Sequence, residues 1–101
     1  MTEAKREGGY PPLDFKKLEV LRERAKLTKA EFASLYGVSR MTYYSWVRGQ
    51  PVRPKNEWFV RRASRMLLEL VREEKWPEAG VEHLPSSERM QRLNKLMADE
   101  M

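Results

Sequence analysis

The side chains best suited to chemistry in this chain are hydrogen-bond donors and cations, and they cluster between Thr28 and Lys55. Arg40, Met41, Tyr44 and Ser45 share one side of a short helix whose other side carries Tyr43 and Trp46, three residues apart. Tyr43 and Trp46 are assigned to the core. The helix is then held on its aromatic side and presents polar and cationic groups outward from its first turns, which is what reading a DNA groove demands. Arg40 is the strongest direct reader, because a guanidinium can donate twice to a guanine; its alternative is a phosphate contact. Met41 and Tyr44 are expected against a thymine methyl or a sugar edge, and Ser45 against a base or a phosphate. Tyr44 has half-packed surface as its alternative.

The expected phosphate set flanks that reader. Thr28 and Lys29 open the preceding helix, where free amides and the helix dipole favour an anion. Ser39 opens the reading helix, and Arg48, Arg53 and Lys55 follow it. Arg61 and Arg62 either join this set or are solvated charge, and Lys5 and Arg6 are candidates for an arm in an adjacent groove.

Charge is placed accordingly. The formal total is +5, yet residues 26–65 hold nine Lys and Arg against two acids, Glu31 and Glu57, a local +7. Residues 78–101 hold three basic and five acidic residues, or −2. A basic middle with an acidic flank suits a polyanion partner for one face and a different task for the tail. The plainer alternative is a solvated charged surface.

Other chemistries find little support. There is no cysteine, so no disulfide framework and no thiolate metal site, which fits a reducing cytoplasm. His83 is the only histidine and sits in a loop-like stretch, PEAGVEHLP. No glycine-rich phosphate cradle, apolar carboxylate pair or nucleophile with a base is present, so neither an enzyme nor a cofactor is expected. The apolar runs are far short of a membrane span, and residues 1–12 lack the apolar core of a signal peptide.

The elements that must position these groups read as all-helical, without a repeat. Residues 1–12 form a flexible tail with Gly8-Gly9 and Pro11-Pro12. Asp14 caps a first helix with Leu18, Leu21 and Ala25 inward. Thr28 and Glu31 form a capping box for a second helix, whose apolar face is Phe32, Ala33 and Leu35. Gly37 ends it, since glycine best tolerates a left-handed terminal position, and Ser39 caps the next. Two prolines within residues 49–54 force a turn. Residues 54–76 then read as one long helix with Phe59, Ala63, Met66, Leu67 and Leu70 inward, Trp58 and Val71 at the edge, and Pro77 as its stop. About 20 residues span ~30 Å, longer than the two short helices to be covered, which leaves part of the stripe for another surface. Ser86 or Ser87 caps a last amphipathic helix with Met90, Leu93, Leu96 and Met97. It either folds back on the long helix as core or pairs with its copy in a second subunit.

The stretch KLTKAEFASLYGVSRMTYYSWVRG resembles the helix-turn-helix of the lambdoid-phage repressor and Cro class, the XRE family. Leu27, Thr28, Glu31, Phe32, Ala33, Gly37, Val38, Ser39, Trp46 and Gly49 fit its pattern in register, and LEVLRERA resembles its first helix. The resemblance covers about half the chain, residues 18–49. It implies a small helical bundle with a Cro/repressor-type helix-turn-helix, here with a long fourth helix and a C-terminal helix. The corresponding layout is a tail at 1–12, a DNA-binding domain at 13–77, and a linker and helix at 78–101. It also implies a cytoplasmic, nucleoid-associated homodimer on double-stranded DNA, with two reading helices in half-sites ~34 Å apart, repressing by promoter occupancy. Two departures stand out. Lys29 replaces the family's usual phosphate-touching glutamine. Val47 replaces the glutamate that usually pairs with the first-helix arginine, here Arg22, which must find another acceptor or face solvent. The fourth helix is a third, since the family often has two short helices there. The rival reading is an antitoxin-like or adaptor module that uses this fold to hold a protein partner, favoured by the long helix and the acidic, methionine-bearing C-terminal helix. Non-specific nucleoid or RNA binding is a third option.

Overall fold

Five α-helices and one 3-10 turn make up the regular structure of residues 13–99, the part of the chain that the computed structural model describes. The helices are α1 (Phe15–Arg24), α2 (Lys29–Leu35), α3 (Arg40–Val47), α4 (Pro54–Arg72) and α5 (Ser86–Asp99). The readings of residues 1–12, including Lys5 and Arg6, lie outside the described residues.

Local chemistry starts and stops these helices where the side chains dictate. The Asp14 carboxylate accepts from the amides of Lys16 and Lys17, at 3.0 and 3.3 Å, and so opens α1. At α2 the capping box is complete: the Glu31 amide donates to the Thr28 hydroxyl, and the Thr28 amide donates to the Glu31 carboxylate. Gly37 follows α2 at φ +71°, a left-handed conformation that glycine adopts without steric penalty. The Val38 amide closes that end onto Ala33 O at 3.1 Å, and the Ser39 hydroxyl accepts from the Thr42 amide to open α3. Pro54 occupies the first turn of α4, where no amide is needed.

One hydrophobic cluster joins all five helices. Leu21 and Ala25 come from α1, Phe32 and Leu35 from α2, Tyr43 and Trp46 from α3, and Leu67 and Leu70 from α4. Leu93 and Met97 of α5 lie in the same cluster, so the last helix folds back over α4.

Three expectations need correction. The inward row of α4 is Val60, Ala63, Leu67, Leu70 and Val71, whereas Trp58 and Phe59 are 62% and 42% exposed. Adjacent helical rows share Ala63, Leu67 and Leu70, so periodicity alone does not choose between Phe59 and Val60. Next, α4 stops at Arg72, before Trp76 and Pro77. Glu74 turns left-handed at φ +60°, and the amides of Lys75 and Trp76 both donate back to Leu70 O. Trp76 thereby drops into the core, and its indole N–H donates to Ala25 O at 2.8 Å, tying the end of α4 to the end of α1. Finally, Ser86 is the first residue of α5, and its hydroxyl donates to Glu31 instead of capping its own helix.

Candidate nucleic-acid interface

The aromatic side of α3 is fixed by rings and one carboxylate. Tyr43 meets Phe32 and Phe15 edge-on, with centroids 5.5 and 6.2 Å apart, and Trp46 lies 5.9 Å from Phe15. The Tyr43 hydroxyl donates to Glu19 on α1, and Arg22 donates to the same carboxylate through Nε and Nη2. Arg22 Nη1 donates to Leu27 O at 2.8 Å, so this arginine has replaced its missing acceptor with Glu19 and a backbone carbonyl. Burial works to raise the Glu19 carboxyl, but the hydrogen bonds from Arg22 and Tyr43 outweigh it and hold the group below the usual range. Burial and the adjacent carboxylate push the Tyr43 phenol far upward, so it remains a donor. Turning α3 about its axis would break this cluster, which settles the side that faces outward.

On that outward side Arg40 and Met41 are exposed and Tyr44 is half-buried. Lys29 Nζ stands 5.2 Å from the Tyr44 ring centroid, and Arg40 Cζ stands 5.8 Å from it. One ring therefore gathers a cation from the start of α2 and a cation from the start of α3. Tyr44 is half-packed surface, partly buried against the core, and the same ring lies beneath both cations.

The remaining site residues differ in how free their groups are. The Ser39 hydroxyl is occupied with Thr42, accepting from its amide and donating to its hydroxyl. Ser45 donates to Thr42 O at 2.8 Å, which leaves its oxygen as an acceptor. Thr28 is exposed; its amide is taken by Glu31, and its hydroxyl proton remains. Arg48, Arg53 and Lys55 are all exposed on and after the α3–α4 turn. Among the described residues no carboxylate forms a salt bridge with Lys29, Arg40, Arg48, Arg53 or Lys55, although the Lys29 charge helps hold the Glu19 carboxyl down. Arg61, in contrast, is held by Glu57 at 2.8 Å, and Arg62 lies over the Trp58 ring at 5.7 Å.

Both acids of the basic segment are thus consumed. Glu57 is paired, and Glu31 is only 4% exposed, turned inward to Arg89 and Ser86 of α5. The outward surface of α2, α3 and the following turn presents donors and positive charge with little carboxylate to offset it. Sequence reasoning missed the Glu19–Tyr43 and Glu31–Arg89 bonds and the Tyr44 clamp. Only the i, i+3 spacing of Glu19 and Arg22 hinted at the first of them.

Among the described residues no group of three His, Cys, Asp or Glu is placed to hold a metal ion, and no helix is long and apolar enough to cross a membrane. No protein-family model, curated protein or solved structure matches this chain.

Proposed function

We propose that this chain is a sequence-specific DNA-binding transcriptional regulator that reads the major groove with α3. In this reading α2 and α3 are a Cro/repressor-type helix-turn-helix. The observation that carries it is the Lys29–Tyr44–Arg40 cluster, in which an exposed guanidinium and a half-exposed ammonium share one aromatic ring. Eight residues of α3 rise ~12 Å, a length the major groove accommodates. Arg40 donates to a guanine edge, with Met41, Tyr44 and the Ser45 oxygen beside it. Thr28, Lys29, Arg48, Arg53 and Lys55 contact phosphates and set the register, while Ser39, its hydroxyl spent on Thr42, serves as the cap of α3. Two copies on a two-fold site repress by occupying a promoter. The test is duplex affinity across a salt series: log K falling with log salt at ~0.9 per phosphate contact supports the interface, and salt-independent binding removes it.

A second reading, a protein-binding adaptor or antitoxin-like module, is favoured by one observation. Trp58 and Phe59 are large apolar side chains left exposed on α4. The two readings are compatible, since one protein can hold a partner and bind its own promoter.

A further inference from the structure

Away from the proposed interface, α1 and α4 enclose an apolar groove of about 400 Å³ between Leu18, Val20 and Leu21 on one wall and Leu68 on the other. Ser64 also lines it, but the Ser64 hydroxyl is hydrogen-bonded to the Tyr36 hydroxyl at 2.8 Å, which takes up that wall's polar group. Val20 is 54% exposed there, an apolar side chain that this chain does not cover among its described residues.

The rim is cationic. Lys17 and Arg24 on α1 and Arg65 on α4 line the groove, and no acidic residue does. None of the three pairs with a carboxylate among the described residues. Arg24 has a local reason to be where it is, in the last turn of α1, where a cation complements the helix dipole. Lys17 has no such reason: it lies in the first turn of α1, where the dipole disfavours a cation and only the capping Asp14 carboxylate offsets it. Lys17 and Arg24 are seven residues apart on one helix, or ~10.5 Å.

The groove also faces away from α3. At 100° per residue, Lys17, Val20, Leu21 and Arg24 fall opposite Phe15, Glu19 and Arg22 on α1. That second row is the one that meets α3, through the Phe15–Tyr43, Phe15–Trp46 and Glu19–Tyr43 contacts. An occupant of the groove and a duplex on α3 do not compete for the same side of α1.

We infer that this groove docks an acidic amphipathic helix of a protein partner. Such a helix places apolar side chains at three- and four-residue spacing on one face, which fill the trough over Val20, Leu21 and Leu68. Carboxylates seven residues apart on it repeat at the same ~10.5 Å as Lys17 and Arg24, and a further one reaches Arg65. A nucleic acid would match the cations and leave Val20 without apolar cover. The inference does not depend on DNA binding.

The test uses the full chain, isotope-labelled, and a synthetic helical peptide with leucines at i, i+4 and i+7 flanked by glutamates. A scrambled peptide of the same composition is the control. Saturable shifts at the methyl groups of Leu18, Val20, Leu21 and Leu68, with the scrambled peptide inert, are expected. Val20→Glu should weaken binding about tenfold or more, and Lys17→Gln or Arg65→Gln about two- to five-fold each. Circular dichroism verifies that these surface variants remain folded, and their affinity for duplex DNA, if the chain binds it, should be unchanged by Val20→Glu. No saturation at millimolar peptide, or equal shifts with the scrambled sequence, overturns the inference. So does a duplex that shifts the same methyl groups, which would assign the groove to nucleic acid.

Discussion

Arg89, near the start of α5, donates to the carboxylate of Glu31, in the first turn of α2, although the two lie 58 residues apart in the chain. Glu31 uses its other oxygen to accept from the Thr28 amide at 2.9 Å. A single buried carboxylate therefore caps the helix that opens the proposed interface and fastens the C-terminal helix to it. Ser86 adds a third donor, and Arg89 also donates to Leu84 O at 3.0 Å, so the latch is anchored on the α5 side as well.

Arg89→Leu should therefore be costly. It leaves Glu31 buried and without its cation, a situation that typically costs about 3–5 kcal/mol. Adding Glu31→Gln to Arg89→Leu should recover a substantial part, because the stranded charge is gone. Urea unfolding of the single and double variants checks this. Strictly additive effects would mean the pair contributes nothing as a pair.

Acid should loosen the same latch. Burial raises the Glu31 carboxyl, but hydrogen bonds from Ser86, Thr28 and Arg89 outweigh it and hold the group below its usual value; Glu19 behaves likewise. A folded value below the unfolded one, about 4.3, means that the unfolded chain binds more protons in acid. The stability these groups contribute is complete above the unfolded value and is lost as pH falls through the folded one. Unfolding free energy should thus drop steeply below about pH 4, and less steeply in Glu31→Gln. Equal acid limbs in both proteins would contradict the assignment.

Tyr43→Phe removes a donor to a carboxylate while keeping the ring that packs against Phe32 and Phe15. A loss of about 1.5–3 kcal/mol in stability is expected, with base preference unchanged. In alkaline titration, Tyr43 and Tyr36 should remain protonated where a free tyrosine, near 10, ionises, because burial pushes both phenols far upward. Ionisation of Tyr43 or Tyr36 near that value would refute the arrangement.

At the interface, Arg40→Ala and Lys29→Ala should behave differently. Arg40→Ala is expected to relax preference at one base position by about 1–3 kcal/mol. Lys29→Ala or Arg53→Ala should weaken all sequences alike and flatten the salt slope by ~0.9 each. Binding assays on the preferred duplex and its single-base variants separate these outcomes. A uniform loss on Arg40→Ala would move that residue to the phosphate set.

What could be read from the chain was what depends on near neighbours. Asp14, Thr28 and Ser39 cap the helices that follow them, and Gly37 takes a left-handed conformation, because each acts within a few residues of itself. Tyr43 and Trp46 turn inward because their spacing places them together on α3. Ala63, Leu67 and Leu70 of α4 are inward as their spacing implies, and only Phe59 gives way to Val60, because neighbouring rows share most of their apolar residues. Local pattern continues the helix through Trp76, whereas its indole bonds to Ala25, 51 residues away. For the site, residue types showed which groups face outward. That Lys29 and Arg40 converge on Tyr44 depends on how α2 crosses α3, which side-chain spacing does not encode.

In the proposed function α3 reads DNA sequence. Selection from a randomised duplex library at near-physiological salt, followed by sequencing, tests it most directly. Enrichment of a two-fold symmetric motif with half-sites about one helical turn apart is expected, with a guanine preference that Arg40→Ala relaxes. Folded protein that enriches no sequence would contradict it.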